Sequence, residues 1–121
     1  MTDSKKNYDG SERRRAPRIR VNFRARWEGT WARREGHITD LSLVGCFILT
    51  PDLVRAGEPV KLEIQLPKGE IKLEGQVVYK VEEMGFAIEF TSASDEDRKR
   101  LGWLIRAEAQ LAQREKMADR G

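Results

Sequence analysis

The sequence is poor in the residues that most enzymes and metal proteins rely on. It has one cysteine, Cys46, and one histidine, His37, in 121 residues. A lone thiol forms no internal disulfide, and one Cys with one His excludes a Cys-rich or His-based zinc site. Prolines number only four. There is no apolar run near the ~20 residues that a membrane-spanning helix requires. The opening residues, MTDSKKNYDG, lack the apolar core of a secretory signal, so the expected compartment is the cytoplasm. Aromatics make up 7% of the chain, with two tyrosines and four phenylalanines, which disfavours the stacking platforms of a single-strand nucleic-acid binder.

Charge is abundant, at 36% of residues against 39% hydrophobic. This describes one soluble domain with a modest core. The net charge of +3 is unevenly spread. Residues 1–20 carry seven basic and three acidic groups, which leaves the remainder at −1. A basic arm on a near-neutral body points to an anionic partner met at one place.

The hydrophobic pattern has mostly the period of strands. VNFRARWEG alternates Val21, Phe23, Ala25 and Trp27 with polar residues. Residues 31–38 follow as a less regular second strand. GCFILT (45–50) has the composition of a buried strand, and PVKLEIQL sets Val60, Leu62, Ile64 and Leu66 on one face. IKLEGQVVYKV and MGFAIEFT complete six short strands separated by turn signals, and they predict a six-stranded antiparallel, closed or split β-barrel. The period then changes. Ser94 with Asp97 three residues on is a helix N-cap, and Leu101, Leu104, Ile105, Leu111 and Ala112 recur at helical spacing. One C-terminal α-helix is expected from about 94 to about 117. Its first half should pack on the barrel. Its tail is left to fray or to pair with another chain, which gives a homodimer through this helix. The organisation is thus an arm at 1–12, a barrel with its arginine strap at 13–93, and a helix and tail at 94–121.

Two clusters carry chemistry. Arg14-Arg15-Ala16-Pro17-Arg18 is an RxxxR interrupted by Pro17, which disfavours a helix and leaves an extended or turning arm. Guanidinium groups match phosphates bidentately, stack on flat rings and donate to guanine O6 and N7. In an extended arm Arg14 and Arg18 lie at most ~14 Å apart. Asp40-Leu41-Ser42-Leu43-Val44-Gly45 is a DxSxxG. On an extended backbone Asp40 and Ser42 point the same way, an acceptor pair suited to the N1–H and N2–H edge of guanine. Leu41 and Leu43 would then face the core. Gly45 permits a positive φ or close approach by a ligand.

The bland readings are a solvated arginine tail and ordinary turn-forming by Asp40 and Ser42. Arg20, Arg24 and Arg26 read as solvent-facing strand positions. Trp27, Trp31 and Trp103 read as core or barrel–helix contacts, and Cys46 as a buried, inert thiol. His37, Asp40 and Ser42 imitate a catalytic trio. Strand parity turns His37 away from the other two, so hydrolase chemistry is not expected.

An RRxxR followed after one strand-rich stretch by DxSxxG resembles the PilZ domain family over roughly residues 13–105. The resemblance implies a non-enzymatic receptor for the bacterial second messenger cyclic di-GMP, with no cofactor or metal. It implies that Arg14 and Arg18 hold phosphate and guanine, that Asp40 and Ser42 contact guanine, and that Gly45 is the motif glycine. Arg13 and Arg15 flank the motif, and a basic residue at 13 favours two stacked nucleotides per site. It further implies relay of the signal to an unidentified downstream protein, with nucleic acid not expected as a partner. The alternatives are a degenerate adaptor of the same fold that works without nucleotide, and a small nucleic-acid-binding barrel.

Overall fold

The computed structural model describes residues 16–51 and 54–120. Six strands run in chain order as β1 (Ile19–Glu28), β2 (Arg33–Leu41), β3 (Gly45–Leu49), β4 (Pro59–Leu66), β5 (Gly69–Val81) and β6 (Gly85–Ser92). One helix follows, α1 (Asp95–Arg120). All strand pairs are antiparallel, and the order β1-β2-β3-β6-β5-β4 closes on itself where β1 meets β4. Closure leaves no unpaired sheet edge, which removes the usual aggregation hazard of a sheet.

Alternation along the strands produces the core. Ala25 and Trp27 on β1, Val60, Leu62 and Ile64 on β4, and Ile71, Leu73 and Val77 on β5 point inward and are buried. The rings of Phe86 and Trp27 pack in a T-shaped pair, with centroids 5.0 Å apart at 88°. The indole N–H of Trp27 donates to Thr50 Oγ1 at 2.8 Å, so the one polar atom of this core aromatic is satisfied.

The helix starts as its sequence signals. The Asp97 amide donates to Ser94 Oγ at 3.0 Å, and Ser94 Oγ donates to Asp97 Oδ2 at 3.0 Å. Asp95, Glu96 and Asp97 place negative charge at the positive end of the helix dipole. Leu101 is buried in the barrel core, with Leu104 and Ile105 packed against it. Leu111 continues the same stripe but is half exposed. The helix ends at Arg120, three residues later than the spacing predicts. Among the described residues no helix is long and apolar enough to cross a membrane.

Three expectations are corrected. The second strand lies at 33–41 rather than 31–38, because residues 29–32 form the turn that leads into it, closed by the Gly29 amide on the Ala32 carbonyl at 2.8 Å. Trp31 and Trp103 are 70% and 73% exposed, not core. Trp31 sits in that turn under the Arg55 guanidinium, 5.1 Å from its ring centroid. Trp103 lies on α1 two residues from the buried Leu101, about 200° around the helix, and faces solvent.

Candidate functional site

The site is built where β1 enters the barrel and β2 leaves it. A register irregularity between Ile38 and Asp40 in the β2–β3 ladder adds one residue at Thr39. That bulge resets the alternation. Ile38 and Leu41 are both fully buried, and Asp40 turns to the outer wall. His37 is also on the outer wall, so the parity reason for separating His37 from Asp40 fails. The trio is nonetheless not assembled, because Ser42 turns inward.

Ser42 is 1% exposed. Its backbone N–H donates to the Gly45 carbonyl at 2.9 Å. Its Oγ accepts from the amides of Val44 (3.1 Å) and Gly45 (3.2 Å) and donates to the Gly45 carbonyl at 3.4 Å. The hydroxyl thus closes the β2–β3 turn upon itself. Asp40 and Ser42 do not share a face as extended spacing suggests, because β2 stops at Leu41. For the same reason Leu43 is 53% exposed in the turn rather than inward. Gly45 does not have a positive φ. A Cβ there would collide with the Ile88 carbonyl of β6, so the glycine admits a neighbouring strand.

The outer wall at this point is charged. Arg18, 22 residues before Asp40, brings its guanidinium to 3.5 Å from Asp40 Oδ2. Arg20 lies opposite Asp40 in the β1–β2 register and is exposed. The other carboxylate oxygen, Oδ1, is buried and has no hydrogen-bond partner among the described residues. A buried acceptor left unpaired is costly, and an outside donor reaches it only once the side chains that cover it move aside. Beneath Asp40 lies Cys46, whose thiol is pushed well up in pKa, first by burial, then by the Asp40 charge, with Arg18 opposing. The thiol is therefore protonated and inert, as expected.

Of the residues expected at the site, Arg18 and Asp40 are brought together in the open. Ser42 and Gly45 support the turn beside them. Arg13, Arg14 and Arg15 lie outside the described residues. Sequence reasoning passed over Phe47, which pairs with Asp40 across β2–β3. Its ring stands 6.3 Å from that of Tyr79 on β5, tilted by 34°. No linear spacing signals that neighbourhood, since strand register creates it.

The sequence matches the family model described as PilZ domain over residues 12–107. Solved structures with the same fold include the PilZ domain with c-di-GMP of YcgR from Escherichia coli, at 20% identity and a TM-score of 0.67, covering 90% of this chain and 99% of that one. The MrkH–c-di-GMP complex from K. pneumonia gives 21% identity and a TM-score of 0.72, over 85% of this chain and 55% of that one. The Bacillus subtilis inhibitor of motility, MotI/DgrA, gives 20% identity and a TM-score of 0.65, over 81% and 52%. This chain therefore spans about half the length of the latter two. A comparison with curated protein sequences found no match.

Proposed function

The chain belongs to the PilZ domain family, and from that membership we propose that it is a receptor for cyclic di-GMP that passes the signal to a protein partner. The observation that carries this reading is the meeting of the two motifs. Arg18, at the base of the arginine arm, reaches Asp40 on the barrel wall, and one buried oxygen of Asp40 has no partner among the described residues.

In the proposed complex a guanine presents N1–H and N2–H to the Asp40 carboxylate. Arg14 and Arg18 take the phosphates and the guanine O6/N7 edge, with Arg13, Arg15 and Arg20 adding to the positive field. Arg18 must leave Asp40 to do so. The exchange is favourable because an exposed ion pair contributes less than about 1 kcal/mol, whereas a hydrogen bond to a charged group contributes about 1.5–3 kcal/mol. Ser42 holds the turn that fixes the end of β2, so its role is to position Asp40. Ligand binding thereby draws the arm onto the outer wall and changes the surface that a partner meets. The half-exposed Leu111 on α1 is the position through which two copies would pair.

The test is calorimetry of the full chain with cyclic di-GMP, against GTP and cyclic GMP as controls, repeated with Arg14→Ala/Arg18→Ala. Binding selective for cyclic di-GMP and lost in the double variant supports the reading. Wild-type affinity in that variant refutes the site, and no binding by the wild type favours the nucleotide-free adaptor. The fitted stoichiometry separates one nucleotide per site from two.

A further inference from the structure

Ten large apolar side chains are well exposed among the described residues, and five of them gather at one corner of the barrel. These are Leu49 on β3, Val78, Tyr79 and Val81 on β5, and Met84 in the β5–β6 turn. Concentration of this kind marks a contact surface, whereas single exposed apolar residues need no explanation.

The register gives the corner its shape. Leu49 pairs with Gly85 and Gly85 with Val81; Phe47 pairs with Ala87 and Ala87 with Tyr79. Along β6 the outward positions before Glu89 are therefore a glycine and an alanine. The strands on either side raise Phe47 and Leu49 from β3, and Tyr79 and Val81 from β5. A second register irregularity, between Val77 and Tyr79, brings Val78 outward as well. The result is an apolar patch on β6 and its neighbours: the Phe47 and Tyr79 rings, 6.3 Å apart, lean together over Ala87, and Leu49, Val78, Val81 and Met84 surround Gly85. A Cβ at Gly85 would collide with the Ile48 carbonyl, so β3 and β6 lie close there.

Both ends of the patch are acidic. Glu89 is the next outward residue of β6 after Ala87, and Glu82 and Glu83 stand in the turn at the other end. Glu83 has φ of 63°, a left-handed conformation that glycine adopts more cheaply, so this turn carries a carboxylate at a conformational cost. The nearest cation on β5, Lys80, is drawn aside to the Val54 carbonyl at 3.3 Å. His37 and Arg24 continue the Leu49 row on β2 and β1, beyond β3.

We propose that this patch is a docking site for an extended segment of another protein, with apolar side chains in its middle and lysine or arginine at its ends. Apolar contact across the patch supplies affinity, and the glutamates at the ends supply orientation and rate of encounter. This surface goes beyond the nucleotide reading and does not depend on it, although Phe47 borders both.

The test starts from a phage-displayed library of random twelve-residue peptides, selected on the immobilised full chain. Selected sequences are then synthesised and titrated by fluorescence polarisation. Peptides with an apolar centre and basic ends should emerge. They should bind at least tenfold more weakly to Val81→Asp, and about three- to tenfold more weakly to Glu82→Lys/Glu83→Lys, with the latter loss shrinking at high salt. Trp103→Ala, remote on α1, should bind them unchanged. Circular dichroism confirms that each variant folds. Failure to select any peptide, selection without basic ends, or equal binding to Val81→Asp overturns the proposal. So does self-association of the wild type in sedimentation that Val81→Asp abolishes, because the occupant is then a second copy.

Discussion

Replacing Asp40 by asparagine isolates the chemistry assigned to that carboxylate. The exchange keeps shape and removes charge. In the free protein its effect should be small, because the Arg18 and Asp40 side chains are 57% and 33% exposed and 3.5 Å apart. Such a pair contributes at most about 1 kcal/mol. In the complex the effect should be large. A carboxylate accepts from guanine N1–H and N2–H together, whereas an asparagine accepts one and turns its own N–H2 towards the other. One charge-assisted bond is lost and the second loses its charge, a penalty of about 2–4 kcal/mol. That corresponds to roughly 30- to 700-fold in Kd. Calorimetry with cyclic di-GMP, beside urea unfolding of both proteins, reads the two effects separately. Asp40→Asn binding within threefold of wild type, at unchanged stability, would refute the role of the carboxylate.

Other substitutions separate the site from its scaffold. Ser42→Ala removes the acceptor of the Val44 and Gly45 amides inside a buried turn and should cost about 1–3 kcal/mol in urea unfolding, with a smaller loss of cyclic di-GMP affinity than Asp40→Asn. Gly45→Ala forces β3 away from the Ile88 carbonyl; a stability loss of about 1–3 kcal/mol is expected, and a thermal midpoint equal to wild type would contradict the close strand approach. Trp27→Ala empties the centre of the core and should cost about 3–5 kcal/mol, while Trp31→Ala and Trp103→Ala, both exposed, should stay within about 0.5 kcal/mol of wild type.

The barrel and helix were legible because each rests on a local regularity. The period-two burial of Val60, Leu62 and Ile64 and the Ser94–Asp97 cap are written in neighbouring residues. The site was less so, because two events that shape it are not periodic. The bulge at Thr39 reverses the alternation that separates His37 from Asp40, and the end of β2 at Leu41 turns Ser42 inward and Leu43 outward. Both follow from how β2 pairs with β3, a non-local fact. The motif spacing located the turn correctly but could not divide its labour: Asp40 meets the solvent, Ser42 ties the loop, and Gly45 admits β6. The tryptophans show the same limit. Residue type favours burial, and only position in the fold separates Trp27 from Trp31 and Trp103. The apolar patch around β6 was invisible for a related reason, since Phe47, Leu49, Tyr79 and Val81 come together only when β3 and β5 pair on either side of Gly85 and Ala87.

The most direct measurement is an amide NMR titration of the full chain with cyclic di-GMP. If the arginine arm and Asp40 grip one ligand, shifts should concentrate at Arg18–Arg20, Asp40 and the Ser42–Gly45 turn. Intermolecular contacts should then join guanine protons to the Asp40–Phe47 neighbourhood, while α1 beyond Leu104 stays unmoved. Shifts confined to α1 or to the β4–β5 hairpin, with Asp40 and Arg18 unchanged, would contradict it.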